Sequence, residues 1–208
     1  MSQRGRFISL EGGEGVGKST QARALAEALN GRGLNVVVTR EPGGSIGAEA
    51  VRELLLGGAD DRWGARAEAL LFAAARTDHV DKTIRPALEA GKWVLSDRFI
   101  DSSLAYQGGA GGLGIEAVRD INAFGIGEWF PDRSLVLVLD DGAERARLRD
   151  AGGSDRIGGR SDEYHHKVET AFRLIAAEEP ERVSLIDGSG PQLEVTQRLL
   201  DAIADLLP

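Results

Sequence analysis

A glycine-rich loop near the amino terminus carries the residue types that bind phosphate groups. Gly12, Gly17, Lys18 and Ser19 satisfy the pattern G-x-x-x-x-G-K-[ST], whose glycines let backbone N–H groups approach phosphate oxygens. In this pattern the lysine reaches the β- and γ-phosphates of a nucleotide, and the hydroxyl residue ligates Mg²⁺. The alternative is a glycine-rich turn with a solvated lysine, but an apolar run precedes the loop and a helical pattern follows it. The sequence therefore predicts a nucleotide site made of Gly12, Gly13, Glu14, Gly15, Val16, Gly17, Lys18, Ser19 and Thr20.

Two further segments follow predicted strands and carry groups suited to phosphate or metal. The Asp97 carboxylate could hold Mg²⁺ through water, with Ser19, and the Arg98 guanidinium could clamp phosphate oxygens in a bidentate fork. An Asp-Arg pair is commonly a surface ion pair, but this one is predicted to face the phosphate loop. The segment from Arg40 to Gly44, REPGG, predicts an irregular turn where a binding loop belongs, although a purely structural turn has the same pattern.

An aromatic and a basic residue share one face of a predicted helix. Phe72 and Arg76 are four residues apart, so a phenyl ring and a guanidinium lie side by side. Such a pair could receive a nucleotide base, the ring by stacking and the arginine by hydrogen bonding. Without further context, Phe72 is interpreted as a core residue and Arg76 as a solvated one.

The segment from Glu144 to Arg160 is rich in arginine and glycine. We predict that it is a lid that closes over phosphates and excludes water, which would otherwise accept the phosphoryl group. A solvated, flexible loop is the alternative interpretation. The segment contains the arginines Arg145, Arg147, Arg149, Arg156 and Arg160 and the glycine pairs Gly152-Gly153 and Gly158-Gly159.

The elements that must position these groups alternate between strands and helices. Five short, nearly continuous apolar runs predict parallel strands covered on both faces. Amphipathic patterns around residues 22–29, 51–55, 67–74, 168–175 and 195–206 predict helices, giving a doubly wound three-layer α/β/α fold. Ligands of such folds bind beyond the carboxyl ends of the strands. The predicted strands are Phe7–Leu10, Val36–Thr39, Trp93–Ser96, Leu135–Leu139 and Val183–Ile186.

Composition restricts the class of protein. A chain of 208 residues predicts a single domain, 1–208, and its formal net charge of −8 argues against a protein that coats nucleic acid. The absence of cysteine excludes disulfides and thiolate metal sites. Because no apolar run has the length of a membrane span or the form of a signal peptide, we expect a cytoplasmic protein that does not bind membranes.

Taken in order, these blocks resemble the bacterial thymidylate kinases, which use Mg·ATP to phosphorylate dTMP to dTDP for dTTP biosynthesis. The resemblance extends from about Phe7 to the last helix and implies the P-loop fold of nucleoside monophosphate kinases. It rests on the entry to the phosphate loop (Ser9 to Gly15), the Arg40–Gly44 turn, the lid triplet Asp155-Arg156-Ile157, and the block of Asp97, Arg98, Phe99, Ser102, Ser103, Tyr106, Gln107 and Gly108.

The resemblance implies a role for each matching residue. Phe72 would stack on thymine and Arg76 would bond its carbonyl edge, while Tyr106 would crowd C2′ and favour deoxyribose. The implied dTMP site comprises Glu14, Arg40, Pro42, Phe72, Arg76, Arg98, Ser102, Ser103, Tyr106 and Gln107. Because the phosphate loop has Gly15 and no arginine, the resemblance implies that the lid supplies the catalytic arginines. The catalytic set is then Lys18, Arg98, Arg147, Arg149 and Arg156, and the metal ligands are Ser19 and Asp97.

The sequence departs from the family at the lid and leaves other functions open. Gly158-Gly159 stand where the family often has a carboxylate, so the arginine that reaches the phosphoryl group is not fixed. A homodimer is implied, with apolar helix faces such as 67–74 and Val118/Ile121 buried either there or in the core. Another P-loop kinase, for a different nucleotide or small molecule, is the main alternative. A GTPase switch would need an Asn-Lys-x-Asp motif, which the sequence lacks.

Overall fold

A five-stranded, all-parallel sheet forms the centre of the computed structural model, which describes residues 4–59, 61–139 and 157–208. The strand order is β2-β3-β1-β4-β5, so the chain crosses over in both directions from β1. This arrangement confirms the doubly wound α/β fold. The strands are β1 (Phe7–Gly12), β2 (Val36–Arg40), β3 (Trp93–Asp97), β4 (Arg133–Val138) and β5 (Val183–Asp187).

Helices cover both faces of the sheet. The helices Ala65–His79 and Ile100–Ser103 continue into the π-helical turns Val80–Ile84 and Leu104–Ala110, and a 3₁₀ turn at Ala204–Leu206 follows the last helix, Gln192–Asp201. The described α-helices are α1 (Lys18–Gly31), α2 (Ile46–Leu56), α3 (Ala65–His79), α4 (Arg85–Glu89), α5 (Ile100–Ser103), α6 (Ile115–Ile126), α7 (Asp162–Glu178) and α8 (Gln192–Asp201).

Two hydrophobic cores flank the sheet because successive strand residues point to opposite faces. Phe7 packs with Phe99 and with α7 on one face, and Ile8 packs with α1 and α8 on the other. The Phe7 and Phe99 rings meet edge to face with centroids 4.8 Å apart. The two cores fix β1 and β3, whose carboxyl ends carry the phosphate loop and Asp97.

One strand differs from its prediction, and one predicted apolar helix face is not buried in the core of the single chain. Strand β4 begins at Arg133 and ends at Val138, so it is shifted toward the amino terminus relative to the prediction. On α3, the apolar positions Ala67, Leu70 and Ala74 are exposed, and Leu70 is 57% exposed. The helix instead buries a face that contains Glu68 and Arg76, which a hydrophobic pattern does not reveal. Val118, by contrast, lies in the core.

Within the described residues, no helix combines the length and the apolar character that a membrane crossing needs.

Candidate active site

The phosphate loop connects β1 to α1 through a backbone that only glycine adopts easily. Gly12, Gly15 and Gly17 have φ values of 127°, 69° and 94°, in the region that disfavours residues with a side chain. A Cβ on Gly12 would lie 2.4 Å from the carbonyl oxygen of Leu137 on the neighbouring strand β4. The loop can therefore lie against β4 and still present its N–H groups and the positive end of α1 to an anion.

Lys18 is held at the start of α1 by contacts within the loop. Its side chain is buried, and Nζ donates to the carbonyl oxygen of Gly13 at 2.5 Å. Burial, together with the charge of Arg98, lowers the pKa of Lys18 to about 8. An anion bound at the loop would favour the charged form of this amine. The protonation of this amine would therefore depend on anion binding at a pH near or above 8.

Two oxygen ligands lie together beside Lys18. The Ser19 hydroxyl donates to a carboxylate oxygen of Asp97, the last residue of β3. A hydroxyl and a carboxylate are hard oxygen ligands, and Mg²⁺ in nucleotide sites uses one or two such groups, with phosphates and water completing its shell. No cluster of three or more acidic or histidine side chains occurs among the described residues that could hold a metal without a substrate. The donor set thus fits Mg²⁺ delivered with a nucleotide.

Arg98 stands at the centre of the site in a strained backbone conformation. Its φ is 71°, and it is the one residue other than glycine with positive φ among residues 4–59, 61–139 and 157–208. The guanidinium donates to Glu14 at 2.7 Å, to the Tyr106 hydroxyl at 3.1 Å, and to Gly12 O and Ser102 Oγ at 3.0 Å. It also lies 4.9 Å from the centroid of the Tyr106 ring. Arg98 therefore joins the phosphate loop to the helix that follows β3.

Charge pairing sets the ionisation of these groups. Burial alone would raise the pKa of Glu14, but the positive charges of Arg98 and Lys18 outweigh it and the net shift is downward. Burial raises the pKa of Tyr106 although Arg98 opposes the shift, so the phenol stays neutral and can donate. Glu14 is thus a carboxylate that pairs with the Arg98 guanidinium.

The structure brings the predicted acceptor residues together around one cleft of about 420 Å³ at the carboxyl edge of the sheet. Of the predicted nucleotide loop, Glu14, Gly15, Gly17, Lys18, Ser19 and Thr20 line the same cleft, as does Asp97. Gly12, Gly13 and Val16 line a smaller hollow behind the loop, against β4. The acceptor residues in the cleft are Glu14, Arg40, Pro42, Phe72, Arg76, Arg98, Ser102, Ser103, Tyr106 and Gln107.

Arg76 is buried, so the interpretation of this residue as solvated is wrong. Its side chain is 2% exposed, and Nε donates to Glu41 Oε2 at 2.7 Å. Nη1 donates to Ser103 Oγ and Asn122 Oδ1, and Nη2 donates to the carbonyl oxygen of Phe99. Phe72 lies partly buried at the edge of the core beside the cleft. The aromatic and basic pair is therefore positioned by tertiary contacts, not by the helix alone.

The turn after β2 places Glu41 and Pro42 inside the protein and leaves Arg40 at the surface. Arg40 is exposed and pairs with Glu49 at 3.2 Å, whereas Glu41 and Pro42 are buried and the peptide bond between them is cis. Glu41 Oε1 lies 3.0 Å from Nδ1 of His79, whose Nε2 meets the Thr39 hydroxyl at 2.7 Å. Glu41 thus accepts from both Arg76 and His79.

The predicted lid lies largely outside the described residues. Arg147, Arg149 and Arg156 are among residues 140–156, which the structure does not describe. At the carboxyl end of the predicted lid, Ile157 is buried and lines the cleft. His165 on α7 is buried, and its Nε2 donates to the carbonyl oxygen of Gly158 at 3.2 Å.

Sequence reasoning missed a set of buried acidic residues behind the site. Glu11 accepts from the Phe99 N–H at 2.9 Å and from the Ser102 hydroxyl at 2.6 Å. Burial and the nearby Asp101 carboxylate raise the pKa of Glu11 to about 7. Glu41 and Glu68 are also buried. Glu41 lies in the Arg40–Gly44 turn, and Glu68 lies on α3 close to Phe72. The only available signal was an acidic residue inside an otherwise apolar or motif segment.

Comparison with known proteins gives one consistent family. A family model described as thymidylate kinase matches residues 10–199. A protein named thymidylate kinase from Rhizorhabdus wittichii is 62% identical over 206 residues, covering 98% of this chain and 99% of that protein. One of the same name from Afipia carboxidovorans is 47% identical, covering 96% of this chain and 89% of that protein. A crystal structure of thymidylate kinase from Ehrlichia chaffeensis superposes with a TM-score of 0.79 at 31% identity, covering 96% of this chain and 99% of that one.

Proposed function

The chain belongs to the thymidylate kinase family, and we propose that the cleft described above is where it transfers phosphate from ATP to dTMP. The observation that carries this proposal is that a phosphate loop and a base-sized pocket share one cleft. The phosphate-binding groups Lys18 and Ser19 line this cleft together with Phe72, Arg76 and Gln107, and we assign the first two to the donor and the other three to the base of the acceptor. A nucleoside monophosphate placed between them would present its phosphate to Arg98.

The acceptor end of the cleft has the composition that a pyrimidine deoxynucleotide requires. Phe72 offers an aromatic face for stacking, and Arg76 offers a guanidinium that is already oriented by Glu41. The Tyr106 hydroxyl is held by Arg98 at 3.1 Å, which keeps the ring beside the position we assign to the sugar. We assign Ser102, Ser103, Gln107, Glu14, Arg40 and Pro42 to the remainder of the dTMP site.

The donor end would hold the triphosphate of ATP on the loop N–H groups, Lys18 and the start of α1. Ser19 and Asp97 are the residues that would hold Mg²⁺, and the ion when bound would neutralise charge on the donor phosphates. Lys18 adds a positive charge, and its pKa of about 8 leaves it mainly protonated at pH 7 even without ligand. These groups reduce the repulsion between two anionic substrates, which is the main obstacle to this transfer.

No general base is needed for this reaction. A nucleoside monophosphate has a second phosphate pKa of about 6, so its acceptor oxygen is already anionic at pH 7. The protein's contribution is then alignment and charge neutralisation. Arg98 would exchange Glu14 for the acceptor phosphate. We propose that Arg147, Arg149 and Arg156, which lie outside the described residues, complete the neutralisation from a lid within the single domain 1–208.

The test is ADP formation from Mg·ATP with dTMP, dUMP, UMP, dCMP, dGMP and shikimate offered separately. We expect strong preference for dTMP, with dUMP second. Turnover of another acceptor with none for dTMP would retain the donor site but favour a different P-loop kinase. Tight ATP binding without turnover of any acceptor would contradict the proposed function.

We also propose that the chain forms a homodimer through the helices on one side of the sheet. Helices α2, α3 and α6 pack side by side, and they expose Leu54 at 41%, Leu70 at 57% and Phe124 at 96%. Large exposed apolar side chains on adjoining helices are typical of a surface that another chain covers. The twofold axis of a dimer would place the same helices of both copies together.

Light scattering after gel filtration tests the dimer. We expect the wild type to have the mass of two chains and Phe124→Glu to have the mass of one. Leu193→Glu is the matched control, because Leu193 is 80% exposed on α8, away from this surface, and its replacement should leave the mass unchanged. A monomeric wild type would contradict the proposal.

We place the enzyme in the cytoplasm, which fractionation of the source cells would test.

A further inference from the structure

A buried carboxylate lies behind the base end of the cleft. Glu68 on α3 has a side chain that is 3% exposed, and its Oε1 accepts from Nε2 of Gln107 at 3.1 Å. Its other oxygen accepts from Nη2 of Arg160 at 2.7 Å. Glu68 therefore links Gln107, which lines the cleft, to Arg160, the last residue of the predicted lid segment.

This contact determines which way the Gln107 amide points. A carboxylate that is paired with a guanidinium accepts hydrogen bonds and has no proton to donate. The atom of Gln107 that meets Glu68 must then be the NH₂ group, since the amide oxygen would meet another acceptor at the same distance. The oxygen Oε1 is turned away from Glu68, and Gln107 presents an acceptor to the cleft that it lines.

Arg76 supplies the complementary donor. A guanidinium has five N–H bonds, and the contacts of Arg76 with described residues use four of them: one on Nε, two on Nη1 and one on Nη2. The second N–H of Nη2 is the one that these contacts leave for a ligand in the cleft. Both side chains line the cleft, so the remaining N–H of Arg76 and the amide oxygen of Gln107 are the donor and the acceptor that they have left for a base bound there.

A donor beside an acceptor matches the hydrogen-bonding edge of thymine and uracil, and it opposes the edge of cytosine. Thymine and uracil present an acceptor at O4 and a donor at N3–H, which match Arg76 and Gln107. Cytosine presents a donor at N4 and an acceptor at N3, so both of its groups would face a group of the same kind. A buried site that opposes the wrong pattern discriminates strongly, because polar groups are left unpaired.

We propose that Glu68 is a specificity-determining residue that makes the acceptor site reject cytosine, by fixing the orientation of the Gln107 amide. This inference rests on the proposed function, because it takes the cleft to be the nucleoside monophosphate site. Glu68 does not line the cleft and acts as a positioning residue. Arg160 supports it by keeping the carboxylate in an ion pair.

The test compares kcat/KM for dTMP and for dCMP in the wild type and in Glu68→Gln. A glutamine at this position has both a donor and an acceptor, so the Gln107 amide can turn over and offer its NH₂ group to N3 of cytosine. We expect the ratio of kcat/KM for dTMP to that for dCMP to fall by about tenfold or more. The ratio for dTMP over dUMP should stay within about twofold, because the two bases have the same hydrogen-bonding edge.

Two further variants separate this role from a structural one. Arg160→Met removes the guanidinium that keeps Glu68 an acceptor, so it should lower the dTMP/dCMP ratio in the same direction as Glu68→Gln. Gln107→Ala should lower the ratio, and adding Glu68→Gln to it should lower the ratio no further, since Glu68 acts through Gln107.

Each result has a definite meaning. A wild-type ratio in Glu68→Gln would overturn the inference, and so would a further loss in the double variant equal to that of Glu68→Gln alone. A wild type that does not phosphorylate dTMP at all would instead contradict the proposed function. Melting temperatures of all variants establish that each is folded at the assay temperature.

Discussion

Replacing Glu41 with glutamine removes one negative charge from the buried cluster that holds Arg76. The Glu41 and Arg76 side chains are 3% and 2% exposed, and the ion pair between them measures 2.7 Å. An amide of the same shape keeps the packing but leaves the guanidinium without its counterion. Its NH₂ group also meets either Arg76 or the N–H of His79, both of which are donors toward residue 41.

The expected loss of stability follows from this burial. Removing one partner of a buried ion pair costs about 3–5 kcal/mol, and Arg76 keeps its bonds to Ser103, Asn122 and Phe99 O, so we take about 3 kcal/mol. For a chain of this size, 1 kcal/mol corresponds to about 2–4 °C in Tm, which gives a decrease of about 6–12 °C. Because Arg76 lines the base end of the cleft, we also expect KM for dTMP to rise more than kcat falls.

Calorimetry and denaturant unfolding at one fixed protein concentration provide the assay. The matched control is Asp81→Asn, which makes the same acid-to-amide change in a pair with Arg85 whose side chains are 48% and 42% exposed. We expect this control to change Tm by no more than about 1–2 °C. If Glu41→Gln lowers Tm by no more than Asp81→Asn, then Glu41 does not hold Arg76 in the way argued here.

Three further predictions concern the donor and sugar positions. Lys18→Ala should lower kcat by about 10² or more in the ADP-release assay, as for the loss of a preorganised donor, and a few-fold decrease would contradict its assignment. The pKa of Lys18 is lowered to about 8 by burial and by Arg98, and a bound triphosphate raises it, so ATP affinity should fall from pH 7 to pH 9. Calorimetry at pH 8 in buffers of different ionisation enthalpy should therefore detect proton uptake on binding, and its absence would refute the linkage. Tyr106→Ala should reduce discrimination between dUMP and UMP, and unchanged discrimination would remove the sugar assignment.

Local patterns predicted the elements and the loop well, because they depend on near neighbours in the sequence. The β1 run, the loop glycines and the first helix were all correctly predicted since periodicity and turn chemistry act over a few residues. The face that α3 buries within the chain could not be predicted in this way, because the residues that it contacts lie far along the sequence. Glu68 bonds Gln107, 39 positions away, and Arg76 bonds Glu41, 35 positions away.

The same distinction explains which site residues could be predicted. The residues that we assign to substrate contacts belong to short motifs, so Lys18, Arg98 and Tyr106 could be proposed from the blocks that surround them. The residues behind them had no such signal. The sequence does not distinguish a buried glutamate such as Glu11 from an exposed one. Its pKa of about 7 follows from burial and from the nearness of Asp101, and the sequence shows neither.

The charges of this site are paired before any substrate arrives, but not to the same degree. Arg76 and Glu41 are both almost fully buried, whereas Arg98 and Glu14 are 15% and 34% exposed at the side chain. Separating Arg76 from Glu41 would leave a buried charge without a partner. Arg76 therefore keeps its bond to Glu41 and has only its remaining N–H to donate to a base. The second pair lies where water and substrate reach it, and Arg98 can exchange Glu14 for a phosphate at small cost. With the roles assigned above, we expect base recognition by Arg76 to be rigid and phosphate binding by Arg98 to be exchangeable, which a kinase needs if it is to recognise one base tightly and still release its product.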